Sequence, residues 1–196
     1  MKEIVIASGN KGKIKEAQEI LKGFKIIPME EIGIEVDVEE DQKTFEGNAI
    51  KKAVEISKKL GGKMCIADDS GIQIEYLDGF PGVFTKRWHK GTERERNLAI
   101  IEKLKGIPKE KRQIKFVTAI ALSNGKETIC EVGNIKGFVA EMPRGENGFG
   151  FDEIFELENG KTLAELTQEE KNKISARKIA LEGVKDKLLK QEQEIE

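Results

Sequence analysis

Two adjacent carboxylates, Asp68 and Asp69, are the residues whose placement most directly suggests chemistry. They follow four apolar residues, 64–67, and precede Ser70-Gly71, which predicts a short buried strand over 63–67 that ends at the acids. In open α/β sheets, ligands bind just beyond the carboxyl ends of strands. Neighbouring carboxylates repel each other unless a cation or a proton separates them, so the pair suggests a Mg²⁺ site beside a general base. The alternative is a solvated turn in which Asp68 caps the next segment.

A second acidic group could reach the same cation. Its carboxylates belong to Glu39, Glu40 and Asp41, within a segment, 34–42, that is predicted as a loop or an edge. A run of charges more often marks a solvated loop than a ligand site. Both interpretations stay open from the sequence, as does the choice among the three acids.

The first strand, turn and helix contain a candidate phosphate site. The strand is predicted over 2–7 and the helix over 13–21, and the segment between and into them is Ser8-Gly9-Asn10-Lys11-Gly12-Lys13. Free backbone N–H groups and the positive end of the helix dipole favour phosphate at such a position. The spacing is not that of a Walker A loop, and an ordinary strand-to-helix turn could have the same composition.

A glycine-rich segment near residue 150 is a candidate site for a planar ligand. Its sequence is Asn147-Gly148-Phe149-Gly150-Phe151-Asp152. Glycines let a backbone approach a ligand closely, a Phe can stack on a base, and an Asp or a backbone N–H can hydrogen-bond to the edge of that base. The alternative is a core Phe in a tight turn.

Two later cations, Lys171 and Arg177, lie around the junction of two predicted helices. Ser175 is predicted to cap the last helix, so Arg177 falls in its first turn. A cation there opposes the helix dipole unless it has an anionic partner, which favours a role facing a ligand. The single histidine, His89, is predicted to be structural or on the surface because no catalytic pattern surrounds it.

The composition limits the class of protein. A chain of 196 residues suits one domain, or one domain with a small lobe. Its formal net charge of -2 provides no positive field for nucleic acid or for a membrane surface. No stretch has the length and apolarity of a membrane span. Cys65 and Cys130 are interpreted as buried free thiols of a cytoplasmic protein, and one histidine makes a zinc site improbable.

Periodicity and turn residues predict the elements that must position these groups. The fold class is α/β, with a mixed twisted sheet flanked by helices, elongated by a long central hairpin, and with two lobes around a cleft. Asn124-Gly125 predicts the hairpin turn, and Gly133 and Gly137 predict bulges or bends in its second arm. The other predicted strands cover 24–28, 72–76, 113–123, 127–140 and 154–157. The other predicted helices run from a Thr44 cap to 60, from a Thr92/Glu95 capping box to 105, from Thr167, and from Ser175.

Five motifs, in order along nearly the whole chain, resemble those of the Ham1 family of inosine triphosphate pyrophosphatases. One is 8–13, and another is 148–152 together with the Lys161–Lys171 segment that follows it. The other three are Thr44-Phe45-Glu46-Gly47-Asn48-Ala49, Ala67-Asp68-Asp69-Ser70-Gly71 and Gly79-Phe80-Pro81-Gly82-Val83. The resemblance implies one Ham1-like domain over 1–196, forming a cytoplasmic homodimer. It also implies Mg²⁺-dependent hydrolysis of ITP, dITP and XTP to the monophosphate and pyrophosphate.

The resemblance further implies roles for individual residues. Asp69 would activate water, and Glu40 and Asp69 would hold Mg²⁺. The triphosphate would lie on 8–13. Apart from the resemblance, we hypothesise that Lys13, Lys52 and Lys171 neutralise phosphate charge. The other residues implied to bind substrate are Ser70, Phe149, Gly150, Phe151, Asp152, Lys171, Ala176 and Arg177.

The chain departs from the family pattern at three places. Ala176 stands where the family usually has a His that helps to recognise the purine 6-oxo group, so one hydrogen-bond donor is lost. Phe151-Asp152-Glu153 replaces Tyr-Asp-Pro, and Thr85-Lys86-Arg87 replaces Ser-Ala-Arg. Two alternatives stay open: a Maf-like pyrophosphatase acting on pyrimidine or modified nucleotides, and a nucleotide-binding regulator without turnover.

Overall fold

The computed structural model describes residues 2–33 and 37–195. This part of the chain contains seven strands and five α-helices, with short 3-10 helices and loops between them. The strands are β1 (Lys2–Ile6), β2 (Phe24–Pro28), β3 (Cys65–Ile74), β4 (Phe80–Pro81), β5 (Gln113–Ser123), β6 (Thr128–Val139) and β7 (Phe155–Glu156). The helices are α1 (Lys11–Ile20), α2 (Phe45–Lys59), α3 (Glu93–Lys103), α4 (Gln168–Lys173) and α5 (Ala176–Ile195). Within these residues, no helix combines the length and the apolarity needed to cross a membrane.

The sheet is mixed, as predicted. Its hydrogen-bonding order is β2-β1-β3-β5-β6-β7, with β4 paired to β3. β1 is parallel to β2 and to β3, whereas the pairs β3–β4 and β6–β7 are antiparallel. The predicted hairpin turn between β5 and β6 is confirmed, because the Asn124 side chain accepts hydrogen bonds from the backbone N–H groups of Lys126 and Glu127.

Local capping explains where the helices begin. The Thr44 hydroxyl accepts a hydrogen bond from the Gly47 N–H at the start of α2. The predicted capping boxes at the starts of α3 and α4 are both complete, with Thr92 and Thr167 as the capping residues. These caps satisfy backbone N–H groups that have no partner inside the helix. Of the predicted loop 34–42, residues 34–36 lie outside the described residues, and 37–42 have no regular structure.

The predicted end of a strand at Asp68 and Asp69 is wrong. β3 continues through both acids to Ile74, so the two strands predicted over 63–67 and 72–76 are one. Ser70 and Gly71, which follow the acids, keep extended backbone inside β3. The acids nevertheless lie at a strand end, since the parallel neighbour β1 stops at Ile6, opposite Ile66.

Two compact units divide the chain, and each has a hydrophobic core. The first unit comprises Met1–Ser70, Thr118–Gly133 and Ala176–Glu196, and the second comprises Gly71–Val117 and Asn134–Ser175. The α5 residues predicted to face the core are all buried in the first one: Ala180, Leu181, Val184 and Leu188. The second core includes Ile72, Ile100 and Phe155. Both cysteines are free, Cys65 buried and Cys130 half-buried.

Two glycines of β6 allow close backbone packing. A Cβ atom on Gly133 would lie 2.0 Å from the carbonyl oxygen of Ala176, at the start of α5. A Cβ atom on Gly137 would lie 2.3 Å from the carbonyl oxygen of Glu156 in β7. β6 is continuous through both positions, so a side chain at either one would displace a neighbouring element.

Candidate active site

The Asp68 side chain lies among cations of the first unit. Its Oδ2 accepts hydrogen bonds from Lys13 Nζ at 2.8 Å, from Arg177 Nη2 at 2.6 Å and from Ser70 Oγ at 3.3 Å. Burial by itself would raise the pKa of this carboxyl. The charges of Arg177 and Lys13 outweigh that effect and hold the pKa of Asp68 well below its usual range. Asp68 is therefore ionised at all physiological pH values.

Asp69 has the opposite environment. It is 5% exposed, its Oδ2 accepts a hydrogen bond from Asn48 Nδ2 at 2.9 Å, and its Oδ1 accepts one from the Ser70 backbone N–H at 3.0 Å. Burial raises the pKa of the Asp69 carboxyl, and the nearby charge of Glu40 raises it further, against the opposing effects of Asn48, Lys52 and the Ser70 N–H. Of the two adjacent acids, Asp69 is thus the better proton acceptor.

Helix α2 contributes two polar side chains to this cluster. Asn48 and Lys52 are one turn apart and so share a face of the helix. Lys52 Nζ donates hydrogen bonds to Glu40 Oε1 at 2.8 Å and to the Asp68 backbone oxygen at 2.6 Å. Lys52 therefore links the acidic loop to β3.

Among the three acids of 39–41, Glu40 is the one tied to β3. Asp41 pairs with Lys51 at 2.8 Å, and the charge of Glu39 acts on the same lysine. Glu40 pairs with Lys52 and lies near enough to Asp69 to affect its pKa. The geometry thus favours Glu40 as the acid that shares a cation with Asp69.

Glu40 and Asp69 form a donor set that suits Mg²⁺. Mg²⁺ usually keeps several waters and binds one or two protein carboxylates together with substrate phosphates. Burial is the main cause of the raised pKa of Asp69, and the repulsion from Glu40 that adds to it is an interaction that a divalent cation would relieve. Among residues 2–33 and 37–195, no group of three or more acidic, histidine or cysteine side chains could hold a metal without substrate.

The segment 8–13 has fewer free backbone N–H groups than the sequence predicted. α1 begins at Lys11, and Asn10 Oδ1 accepts the N–H groups of Gly12 at 2.9 Å and of Lys13 at 3.2 Å. Ser8 Oγ accepts the N–H of Asn10. Three backbone amides of this segment, those of Asn10, Gly12 and Lys13, are therefore bound by side chains of the segment itself. Gly9 and Lys11 are exposed, while the Lys13 ammonium reaches Asp68.

The start of α5 places Arg177 against β3. Its Nη2 contacts Asp68 and also donates to Ser70 Oγ at 3.3 Å, so the anionic partner expected from its position in the first helical turn is Asp68. The buried Arg177 Nε finds no acceptor among the described residues. Ala176, one residue earlier, is buried where α5 approaches Gly133 of β6.

The segment 149–152 forms a separate cluster in the second unit. Phe149 is 75% exposed, whereas Phe151 is half-buried and packs on the second core. Asp152 Oδ2 accepts hydrogen bonds from the Phe149 backbone N–H at 2.9 Å and from the Lys171 ammonium, which also lies 5.3 Å from the centre of the Phe149 ring. Only Phe149 of the two aromatics is thus presented for stacking. His89 contacts Trp88 edge-on, in keeping with a structural role.

Two polar residues of the first unit had no predicted role. Asn48 is fully buried on α2, and Thr118 is fully buried on β5, where its hydroxyl donates to Ser70 Oγ at 3.3 Å. The available signal was a polar residue inside an otherwise apolar pattern. Such a residue must find a hydrogen-bond partner when buried, but the sequence could not name that partner.

The first unit therefore belongs to an α/β protein whose paired carboxylates and converging cations suit phosphoryl chemistry. Comparison with known proteins identifies the family: the Ham1 family model matches residues 4–187, and the chain belongs to the Ham1 family. Among curated proteins, the dITP/XTP pyrophosphatase of Bacillus subtilis (strain 168) is 48% identical over 189 residues, covering 92% of this chain and 94% of the relative.

Solved structures of the same family have the same fold. The HAM1 protein of Coxiella burnetii superposes with a TM-score of 0.88 at 39% identity, covering 97% of this chain and 100% of that one. The Staphylococcus aureus Ham1 protein gives a TM-score of 0.89 at 36% identity over the same shares of the two chains. The α/β class predicted from the sequence is thereby confirmed.

Proposed function

We propose that this protein hydrolyses deaminated purine nucleoside triphosphates (ITP, dITP and XTP) to the monophosphate and pyrophosphate, and so removes them from the nucleotide pool. The observation that carries the proposal is the opposite environment of two adjacent acids. Asp68 is ionised among cations, while Asp69 is buried and has a raised pKa. Family relatives named dITP/XTP pyrophosphatases support the substrate class.

In the proposed reaction, Asp69 accepts a proton from the water that attacks the α-phosphorus. A bond forms between the water oxygen and the α-phosphorus, and the bond from the α-phosphorus to the bridging oxygen breaks, releasing pyrophosphate. General-base catalysis of this kind contributes about 10²–10⁴-fold to a rate. Asn48 and the Ser70 N–H orient the Asp69 carboxylate for this transfer.

Cations of the first unit hold the substrate in this proposal. Lys13, Lys52 and Arg177 neutralise phosphate charge, and the Arg177 Nε–H provides a further donor for a phosphate oxygen. Glu40 and Asp69 would hold Mg²⁺, which supplies further neutralisation of phosphate charge when it is bound. Ser8 to Lys13 contribute the positive end of α1.

The base would be bound by Phe149, Gly150, Phe151, Asp152 and Lys171. In support, Phe149 is an exposed aromatic ring, and base–aromatic stacking contributes about 1–3 kcal/mol per base. Replacing Phe149 with Ala should raise KM for dITP more than it lowers kcat. We also propose that Ala176, where the family usually has a His, weakens selectivity for the 6-oxo group, so Ala176→His should raise the ratio of kcat/KM for dITP to that for dATP.

A substrate panel tests the activity. Pyrophosphate release is measured with ITP, dITP, XTP, GTP, dATP, dTTP and UTP, each with Mg²⁺ and with EDTA. The proposal expects turnover of the deaminated purines, loss of turnover in EDTA and recovery on adding Mg²⁺. Preference for dTTP or UTP would favour the Maf-like alternative. Binding without pyrophosphate release from any nucleotide would identify a regulator.

We propose further that the protein is a cytoplasmic homodimer, as the family resemblance implies. Light scattering coupled to size-exclusion chromatography measures the assembly directly. With a chain mass of 21.9 kDa, a dimer and a monomer are easily separated. A monomer mass at all tested concentrations would contradict the dimer.

A further inference from the structure

Helix α3 holds both polar backbone groups of Gly150 in the second unit. Glu93 Oε2 accepts a hydrogen bond from the Gly150 N–H at 2.8 Å, and Asn97 Nδ2 donates one to the Gly150 oxygen at 2.8 Å. Glu93 and Asn97 are four residues apart and share a face of the helix. A residue bound at both its N–H and its C=O cannot rotate without breaking at least one of the two hydrogen bonds.

Asn97 makes its contact with Gly150 from a buried position. It is 1% exposed, and its amide nitrogen also donates to Glu153 Oε1 at 2.8 Å. These two acceptors satisfy the buried amide nitrogen, whereas Asn97 Oδ1 finds no donor among the described residues. Both hydrogen bonds from the Asn97 amide nitrogen go to the segment 150–153, so this side chain fixes the segment from inside the unit.

The position of Gly150 makes the contact relevant to ligand binding. Gly150 has a φ of +64° and separates the exposed Phe149 from Phe151, which packs on the core. The orientation of its backbone therefore sets the opposite directions of the two rings. An exposed Phe free to move would tend to cover its apolar surface against the protein.

We propose that Glu93 and Asn97 are positioning residues, which hold Phe149 outward for stacking on the nucleotide base. The inference rests on the proposed role of 149–152 in base binding. It assigns no contact with substrate to either residue, and their effect acts through Gly150. Loss of the α3 contact should therefore weaken binding of ligands that carry a base and leave binding of phosphate groups unchanged.

Calorimetry with IMP and with pyrophosphate tests the inference. Both are products of the proposed reaction, but only IMP has a base, and a dissociation constant needs no turnover. Glu93→Ala, at an exposed position, should raise Kd for IMP about tenfold, the effect of one lost hydrogen bond to a charged group. Kd for pyrophosphate should change less than about twofold. Glu93→Gln, which keeps an acceptor oxygen, should restore IMP binding.

Glu102→Ala is the matched control. Glu102 lies on the same helix, is 71% exposed at its side chain and pairs with Lys105 Nζ at 3.4 Å, away from the segment 150–153. It should leave both dissociation constants unchanged. Asn97→Ala gives a second variant, with the same selective effect expected, and circular dichroism reports whether it folds.

Three results from the variants would overturn the inference. These are unchanged IMP binding in Glu93→Ala, equal weakening of IMP and pyrophosphate, and a Glu102→Ala effect as large as that of Glu93→Ala. Absence of IMP binding to the wild-type protein would also overturn it. Failure of the proposed function is separate, because it is seen as absence of pyrophosphate release from wild-type protein whatever the variants bind.

Discussion

Replacing Asp69 with Asn should remove activity with little loss of stability. The oxygen of the substituted side chain could still accept the Ser70 N–H, but its amide nitrogen would face the donor Nδ2 of Asn48. Asn48 Oδ1 accepts a hydrogen bond from the Gln42 N–H at 3.0 Å. Rotating the Asn48 amide by 180° to present an acceptor would break that hydrogen bond. One hydrogen bond is lost either way, about 1 kcal/mol. Removal of a buried carboxylate with a raised pKa offsets part of that loss.

The kinetic effect should be much larger. Loss of a general base lowers kcat by about 10²–10⁴-fold, equivalent to about 3–5 kcal/mol in the barrier. Pyrophosphate release from dITP at saturating substrate and Mg²⁺ measures kcat, and urea denaturation measures the free energy of unfolding. If Asp69→Asn kept kcat within about tenfold of wild type, the role assigned to Asp69 as a base would be refuted.

Asp68→Asn is the matched comparison and should show a large loss of stability. A neutral amide cannot balance Lys13 and Arg177, and removing one partner of a buried ion pair costs about 3–5 kcal/mol. Equal losses in the free energy of unfolding for Asp68→Asn and Asp69→Asn would contradict the different environments assigned to the two carboxylates.

The pH dependence of stability provides a second readout for Asp68. Its pKa is lower in the folded protein than in the unfolded chain. The stabilisation is therefore present above the unfolded pKa, about 3.9, and is lost as pH falls toward the folded pKa. Unfolding in EDTA should show this acid loss in the wild type, and the loss should be smaller in Asp68→Asn. Equal acid sensitivity of the two proteins would contradict the assignment.

Three further substitutions test local packing and capping. Gly148→Ala would place a Cβ atom 2.1 Å from Asp152 Oδ2 at a φ of +83°, so KM for dITP should rise; an unchanged KM would argue against base binding by this segment. Gly133→Ala would press on the Ala176 carbonyl, and overpacking of this kind should lower the free energy of unfolding by about 1–3 kcal/mol in urea denaturation. Thr92→Ala should cost about 1 kcal/mol by losing the α3 cap, without changing kcat; a fall in kcat would show that this cap also affects the catalytic step.

The elements that follow from local chemistry were predictable from the sequence. Caps at Thr44, Thr92 and Thr167 and the turn at Asn124 act over three or four residues, so their signals are complete within short segments. The course of β3 was not predictable in this way. Ser70-Gly71 resembles a turn in isolation, but in the structure its chain remains extended as part of the sheet.

The sequence was enough to single out Asp68 and Asp69 as candidate site residues, but it did not predict the difference between the environments of their carboxylates. Asp68 meets Arg177 from a position 109 residues away and Lys13 from 55 residues away. No periodicity or spacing rule specifies such pairs. The sequence also could not reveal that Asn10 would cap the amides of α1 that were expected to be free for phosphate.

The contacts of Asp68 hold together the cations that we propose for phosphate binding. Lys13, Lys52 and Arg177 come from three different helices and would repel one another without a negative charge among them. The Asp68 carboxylate contacts two of these cations and its backbone oxygen contacts the third. Asp68 thus holds the three cations in place, and in the proposed function this prepares them for the substrate phosphates. Because Asp68 stays ionised, its negative charge also lowers the net positive charge of the cluster formed by Lys13, Lys52 and Arg177. Asp69 shares none of these ion pairs, and in the proposed reaction it is the residue that accepts a proton, so the two neighbouring acids of one strand have different proposed roles.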